Sequence, residues 1–341
     1  MRPIRRRKTA RTETGARNPH ADRTAGTVNP RGSHRRNERS EAIPETRHIT
    51  LGSRGSILAL AQAEQTKRLM GERYPELDLE IRVIRTEGDI ESTSPLSSFG
   101  GRGAFVRAIE SALLKGEINI GVHSLKDLPS RLPEGLALGA APVREDMRDA
   151  LVSRERLALN ELPSGGKVAT GSERRRIQLA SLRPDLVFLP IRGNIETRIR
   201  KIETEGLDGI VIAYAGLKRL GLESRVSRVF EPEEVLPAPG QGALGLECRA
   251  DDEDTLGMLR GVENEDVRVC VDAERAFIAA LGLGCHAPVA ALAVLEGGTI
   301  RFSGFTAGKT GASVRRTILS PRDRAVDAAG ELAREFREAL A

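Results

Sequence analysis

Arginines in this 341-residue chain gather where apolar runs give way to helical patterns. Arg54 sits in Gly52-Ser53-Arg54-Gly55-Ser56, Arg174 and Arg175 follow Thr170-Gly171-Ser172, and Arg192 opens Arg192-Gly193-Asn194; Arg198 and Arg219 lie a few residues beyond such junctions. Guanidinium groups bind carboxylates or phosphates bidentately and stay charged at any working pH. Strand-to-helix junctions line the ligand crevice of open α/β sheets, and helix N-termini add unpaired N–H donors there. A single surface arginine says little, but this set in one crevice implies a ligand with several negative groups. Asp127, just past an apolar run and beside Lys126, suits acid–base or cation-stabilising work; the competing reading is a turn former before Leu128-Pro129. Cys285 lies in Gly282-Leu283-Gly284-Cys285-His286-Ala287-Pro288, a constrained loop that suits an attachment point or a nucleophile. Cys248 and Cys270 fall in apolar settings and read as ordinary buried thiols. Gly240-Gln241-Gly242 is a turn through which backbone can approach a ligand.

These residues need a scaffold, and the apolar periodicity outlines one. His48–Gly52 reads as a buried strand running into Ser56, an N-cap for a helix to about Leu69. Leu77–Val83 alternates as a strand, Phe105–Leu113 recurs at helical spacing before Gly116, and Ile118–Val122 is a strand that delivers Asp127 at its end. The alternation repeats: strands at Val168–Thr170, Leu186–Leu189 and Gly209–Ile212 feed helices near Ser172, after Asn194 and after Tyr214. Two α/β units in tandem predict two lobes around a cleft. The Pro/Gly-rich stretch Pro232–Gly242 leads into Ala243–Cys248, a strand that can return to the first lobe. A helix over Val267–Leu281 ends at Gly282; strands around Val289–Leu295, Thr299–Thr306 and Ser313–Leu319 and a helix from Arg322 to Leu340 make a small α+β domain with a three-stranded antiparallel sheet. The expected division is an extension, 1–46; a first domain, 47–142 and 243–260; a second, 148–236; and a third, 264–341.

Composition narrows the function. The formal net charge is +5, yet residues 1–47 hold 13 Arg/Lys against 5 Asp/Glu, so the remainder is mildly acidic and offers no case for nucleic-acid binding. Residues 1–46 have too few apolar groups to fold and read as a disordered extension or a misplaced start; plastid import is the alternative, against which the acidic residues count. No apolar run is long enough to cross a bilayer, and none reads as a secretory signal. Three cysteines without a C-x-x-C pair fit neither a disulfide framework nor a zinc site. The expectation is a cytoplasmic protein with no metal, no membrane contact and no nucleic-acid partner.

Several strings, in order and at matching spacing from about Ile49 to the C-terminal helix, resemble the porphobilinogen deaminase (hydroxymethylbilane synthase) family. They are Val122-His123-Ser124-Leu125-Lys126-Asp127-Leu128-Pro129, Arg144-Glu145-Asp146-Met147-Arg148-Asp149-Ala150, Arg192-Gly193-Asn194-Ile195-Glu196-Thr197-Arg198, Ala215-Gly216-Leu217-Lys218-Arg219-Leu220-Gly221, Leu236-Pro237-Ala238-Pro239-Gly240-Gln241-Gly242 and Gly284-Cys285. The resemblance implies two lobes like those of periplasmic binding proteins, plus a small domain carrying the cofactor cysteine. It implies head-to-tail condensation of four porphobilinogen molecules into linear hydroxymethylbilane with release of ammonia, in tetrapyrrole (heme, chlorophyll, cobalamin) biosynthesis. It further implies a dipyrromethane cofactor in thioether linkage to Cys285, a monomer, and a product passed to uroporphyrinogen-III synthase.

Carried over position by position, Asp127, Arg54, Arg192 and Arg198 match catalytic residues. Arg54, Ser56, Arg192, Arg198 and Arg219 match substrate-binding ones. Ser124, Lys126, Thr170, Ser172, Arg174, Arg175, Asn194 and Gln241 match those that hold the cofactor. The implied role of Asp127 is to bond pyrrole N–H groups and stabilise the cation left by departing ammonia. The chain departs from the pattern at Leu283, Glu173, Gly171, Ser98 and Arg102, none of which removes an essential group. The rival readings are a non-catalytic anion-binding protein on the same two-lobed fold, and a nucleic-acid or membrane-surface binder acting through residues 1–46.

Overall fold

The computed structural model describes residues 47–84, 103–283, 287–308 and 312–340, without the side chains of 103–105 and 340. The N-terminal extension, Ser98, Arg102 and Cys285 lie outside the described residues.

The first lobe is built from β1 (His48–Ser53), α1 (Ile57–Arg73), β2 (Asp78–Val83), α2 (Gly103–Leu114), β3 (Ile120–Ser124) and β4 (Leu136–Ala140). Past His48, β1 is buried along its whole length, as a central strand covered on both faces must be. Ser56 caps α1 as expected, its hydroxyl accepting from Ala59 N at 3.3 Å. β3 starts two residues later than the apolar pattern suggests. Ile118 is buried, but its Cδ1 occupies the space a Cβ on Gly52 would take, and Asn119 pins Thr50, so pairing begins at Ile120.

The second lobe comprises β5 (Asp149–Ser153), β6 (Lys167–Ala169), α3 (Glu173–Leu182), β7 (Val187–Leu189), α4 (Ile195–Thr204), β8 (Gly209–Ala213), α5 (Tyr214–Arg219) and β9 (Arg228–Val229). The chain then returns through β10 (Leu244–Arg249) and α6 (Glu253–Arg260). The sheet orders are β2-β1-β3-β10-β4 and β7-β6-β8-β5-β9. In each, three strands run parallel (β2, β1, β3; β7, β6, β8), so their carboxyl ends share one edge. β10 is antiparallel to β3, pairing Leu244 with Ser124, which is how residues after the second lobe come back to the first.

The last part holds α7 (Glu265–Leu281), β11 (Ala290–Glu296), β12 (Thr299–Ala307), β13 (Ser313–Pro321) and α8 (Ala325–Leu340). Gly282 ends α7 in the left-handed conformation (φ 63°) that glycine adopts without strain. The antiparallel sheet β11-β12-β13 packs one face on α7 and α8, with Phe277 centred 5.4 Å from both Phe302 and Phe336.

Glu274 of α7 joins this domain to the rest. It is fully buried and accepts from Arg144 through both oxygens (2.7 and 3.1 Å), from Gly240 N (2.6 Å) and from Ala293 N (2.9 Å). Removing one member of such a pair strands a buried charge, at a cost of about 3–5 kcal/mol. Glu274→Ala should therefore lower the denaturation midpoint strongly and Glu274→Gln less so, as read by thermal and urea melts.

Another buried cluster lies in the first lobe. His123 Nε2 is 3.1 Å from Glu247 Oε2, and Glu110 of α2 has both residues as electrostatic neighbours. Burial, and then the negative charge of Glu247, raise the Glu110 carboxyl above its ordinary 4.5, against the pull of His123 and Arg107. A raised folded-state value favours the fold below the unfolded value and loses that benefit as pH climbs through the shifted one. Glu110→Gln does not titrate, so its melting temperature should gain relative to wild type as pH rises through that window and keep that relative gain at higher pH; parallel melts between pH 4 and 8 check this.

Candidate functional site

At the carboxyl edge of the first sheet, β1 delivers Arg54 and Ser56, and β3 delivers Ser124, Lys126 and Asp127. Ser56 is engaged as the cap of α1. The Ser124 hydroxyl accepts from Gln62 Nε2 at 2.7 Å. Lys126 and Asp127 sit on a single 3-10 turn, Leu125–Asp127, and Leu128 N closes it on Leu125 O. Asp127 is half-buried, and its carboxylate makes no hydrogen bond or ion pair with a described residue.

The second sheet's edge carries Thr170, Ser172, Arg174 and Arg175 after β6, and Arg192, Asn194 and Arg198 after β7. Ser172 caps α3 by accepting from Arg175 N, and Thr170 Oγ1 accepts from Ser172 N at 3.3 Å. Asn194 caps α4, accepting from Thr197 N at 2.8 Å, while Arg198 Nε donates to Gly193 O at 2.7 Å. Arg192 is exposed, and no contact of its guanidinium with a carboxylate occurs among the described residues.

Arg174 and Arg175 are nearly fully buried and converge on Asp149, the first residue of β5, at 2.8 Å (Nη1–Oδ2) and 2.7 Å (Nη2–Oδ1). Burial alone would push Asp149 up, but these two cations hold it well below the usual carboxylate range. The group is thus one anion held between two cations of α3.

Gln241 ties the two edges together. Its Nε2 donates to Asp149 Oδ1 (2.8 Å) and Met147 O (2.7 Å), and its Oε1 accepts from Arg175 Nη2 (3.3 Å) and Lys126 Nζ (3.5 Å). Arg144 Nε donates to its backbone carbonyl at 3.1 Å. The turn needs both flanking glycines: φ is 71° at Gly240 and 87° at Gly242, where a Cβ would stand 2.2 Å from Glu145 O.

Arg219, the last residue of α5, donates to Gly242 O at 2.7 Å and to Gln65 Oε1 at 3.3 Å, and no carboxylate lies within ion-pair distance among the described residues. Burial pushes it down to about 10, with Glu145 opposing. Lys126, Arg174, Arg175, Gln241 and Arg219 are therefore brought into one neighbourhood, whereas Arg192, Asn194 and Arg198 stand one strand over on the same edge. The arginine count in the sequence did not disclose that two of these cations have an internal counter-ion. Asp149, Glu145, Gln62, Gln65 and Glu274 went unremarked, because nothing local distinguishes a polar residue that a returning segment will bury.

A polycarboxylate group fits this donor set: Arg219 is desolvated against neutral hydrogen-bond acceptors only, and the Ser124 and Ser172 hydroxyls lie on the same two sheet edges. Cys285 lies outside the described residues. The other two thiols are buried and pushed up, Cys248 to about 11 by burial and then Asp252 and Glu247, and Cys270 by burial and then Glu274. Among the described residues no three His, Cys, Asp or Glu side chains are grouped to hold a metal ion, and no helix is long and apolar enough to cross a membrane. A cavity of about 180 Å³ between Pro232–Leu236 and the third sheet is a separate feature, with Arg315 engaged by Pro232 O and Arg301 by Glu296.

Residues 49–257 match the family model described as porphobilinogen deaminase, dipyromethane cofactor binding domain, and residues 268–340 match its C-terminal domain. Porphobilinogen deaminase of Syntrophus aciditrophicus (strain SB) is 45% identical over 286 residues, covering 84% of this chain and 94% of that protein. The protein of the same name from Paenibacillus macerans is 49% identical over 254 residues, 73% of this chain and 78% of that one. Among solved structures, the periplasmic VFT2 domain of Bordetella pertussis BvgS aligns with 63% of this chain and 86% of its own at 12% identity and a TM-score of 0.40. With two family domains in order along most of its length, the chain belongs to the porphobilinogen deaminase family.

Proposed function

We propose that this chain is a transferase that condenses four porphobilinogen molecules head to tail into hydroxymethylbilane, releasing ammonia at each step, on a dipyrromethane held by Cys285. One observation carries the reading beyond family membership. Asp127 stands half-buried at the carboxyl edge of the first sheet, and Arg219 and Arg192, both from the second lobe, have no carboxylate partner among the described residues.

When bound, the dipyrromethane supplies the electron-rich pyrrole carbon that accepts the first substrate. The chain's own residues do the rest. Each porphobilinogen carries two carboxylates, and Arg54, Arg192, Arg198 and Arg219, with Ser56 beside them, neutralise and orient these. Ser124, Lys126, Thr170, Ser172, Arg174, Arg175, Asn194 and Gln241 hold the cofactor's side chains. Arg174 and Arg175 contribute mainly field, since Asp149 fixes both inside the protein. Asp127 accepts hydrogen bonds from pyrrole N–H and stabilises the positive charge that develops as ammonia leaves, in a place where its own charge is poorly screened. Of the three cysteines, two are buried with thiols raised against ionisation, which favours Cys285 for the thioether. On the same reading the chain works as a monomer in the cytoplasm, within tetrapyrrole biosynthesis, and uroporphyrinogen-III synthase takes up its product.

Intact-mass measurement of the purified protein tests the assignment. The wild type should exceed its polypeptide mass by a dipyrromethane, and Cys285→Ser should lack both the increment and turnover. Fully active protein without the adduct would overturn the reading. Asp127→Ala should keep the adduct and the melting temperature while ammonia release from porphobilinogen falls by about 10²-fold or more, the scale for losing one preorganised electrostatic group. Near-normal release would refute its role.

A further inference from the structure

Arg219 belongs to α5 of the second lobe, but both of its hydrogen-bond acceptors lie outside that lobe. Nη2 donates to the carbonyl of Gly242, in the turn between the lobes, and Nε donates to Gln65 Oε1, on α1 of the first lobe. Around this contact the two helices lie close: Leu58 Cδ2 of α1 is 3.6 Å from where a Cβ on Gly216 of α5 would stand. The nearest negative group in electrostatic reach of Arg219 is Glu145, and that carboxylate is taken by Lys218 and by Asp146 N. A desolvated guanidinium is therefore held across the junction by a neutral amide.

The chemistry of the partner matters. A hydrogen bond from guanidinium to a neutral amide is weaker than one to a carboxylate, and a carboxylate can take two donors at once. An incoming carboxylate can thus displace Gln65 from Nε while Gly242 O still holds Nη2. A Glu at position 65 would instead pair with Arg219 permanently. Helix α1 starts immediately after Arg54, Gly55 and Ser56, so whatever ties α1 to α5 also sets how closely these residues face the second lobe's arginines.

We propose that Gln65 is a positioning residue: its amide latches Arg219 across the two lobes weakly enough that a substrate carboxylate displaces it, and loading the crevice thereby releases α1 from α5. This rests on the reading of Arg219 as a carboxylate-binding residue and adds how that residue is kept until substrate arrives. The latch competes with substrate for one side chain, so strengthening and removing it have opposite effects.

The test uses the holoenzyme with its covalent adduct verified by mass, and porphobilinogen as the probe. Gln65→Glu should raise KM by about tenfold, the scale of replacing a neutral acceptor by a charged one. Gln65→Ala and Gln65→Asn, too short to reach Nε, should lower KM by about two- to fivefold with kcat changed less than KM. In an Arg219→Leu background the Gln65→Glu substitution should have no further effect, a coupling that general loss of structure does not produce. Wild-type KM in all three Gln65 variants, or shifts in one direction for Glu and Ala alike, would overturn the latch. If Gln65→Glu fails to fold, Gln65→Ala and Gln65→Asn decide by themselves: unchanged or raised KM sinks the proposal. Impaired Arg219→Leu with wild-type Gln65 variants would remove the latch and leave the functional assignment standing, whereas wild-type kinetics in Arg219→Leu would remove both.

Discussion

The carboxamide of Gln241 is the constraint on which the arrangement depends. Two guanidinium groups and one carboxylate, Arg174, Arg175 and Asp149, are buried together, and charges taken out of water must be paired and fully hydrogen-bonded or the fold loses several kcal/mol for each. Gln241 supports that pairing at Asp149 Oδ1 because an amide can both donate and accept: it donates to Asp149 and Met147 and accepts from Arg175 and Lys126. Lys126 comes from the first lobe and Arg175 from the second, so satisfying the buried charges also fixes the register between the two sheet edges. The turn that presents Gln241 is itself held by Glu274 of the third domain through Gly240 N and Arg144. Gln241 therefore connects the first two sheet edges, and Glu274 carries the connection on to the third sheet through Ala293 N.

Arginines in this protein divide by partner. Arg144, Arg174 and Arg175 face carboxylates inside the molecule and are scaffold, since removing Glu274 or Asp149 would leave unpaired charge in a dry place. Arg219 is different, because it is also largely desolvated but has only a carbonyl and an amide as acceptors. Burial without a counter-charge costs stability, which is why its proton is held less tightly than an ordinary arginine's. On the proposed role of Arg219, a ligand carboxylate would remove that cost on arrival, so part of its binding energy would be relief of a burial cost already present in the protein.

Much of this was legible in the sequence where the signal is local. The Ser56 cap, the helix expected over Val267–Leu281 with its end at Gly282, and the three strand runs that form β11 to β13 all follow from short-range rules, and the structure has them, the helix starting two residues earlier. Elements set by distant partners were not legible. β4 and β5 are not among the strands expected from the sequence, because an antiparallel strand paired with β10 or β8 carries no helical or crossover signature of its own. β3 was placed two residues early since burial of Ile118 against Gly52 mimics a strand's first inward residue. At the site, residue types gave the arginines and Asp127, but not that Asp149 would neutralise part of the set. That fact depends on β5 lying beside β8, more than fifty residues away in the chain, and on a glycine-flanked turn that arrives still later.

A substrate that grows by two carboxylates per addition places a demand on electrostatics that a single-ligand crevice does not meet. If every crevice cation were paired with a protein carboxylate, each addition would have to break an ion pair and leave the displaced anion beside the incoming one, a like-charge contact in poorly screened surroundings. Neutral acceptors avoid this. On the proposed latch, a ligand carboxylate that takes Arg219 from Gln65 leaves behind an amide that carries no charge and can turn to water, so the displaced acceptor adds no repulsion. The charged counter-ions are instead placed one layer deeper, at Asp149 and Glu274, where they hold the frame and are not exchanged. On the proposed role of Arg219, the separation of fixed ion pairs beneath from an exchangeable neutral contact above would let the edge accept a product of increasing charge without breaking its own frame.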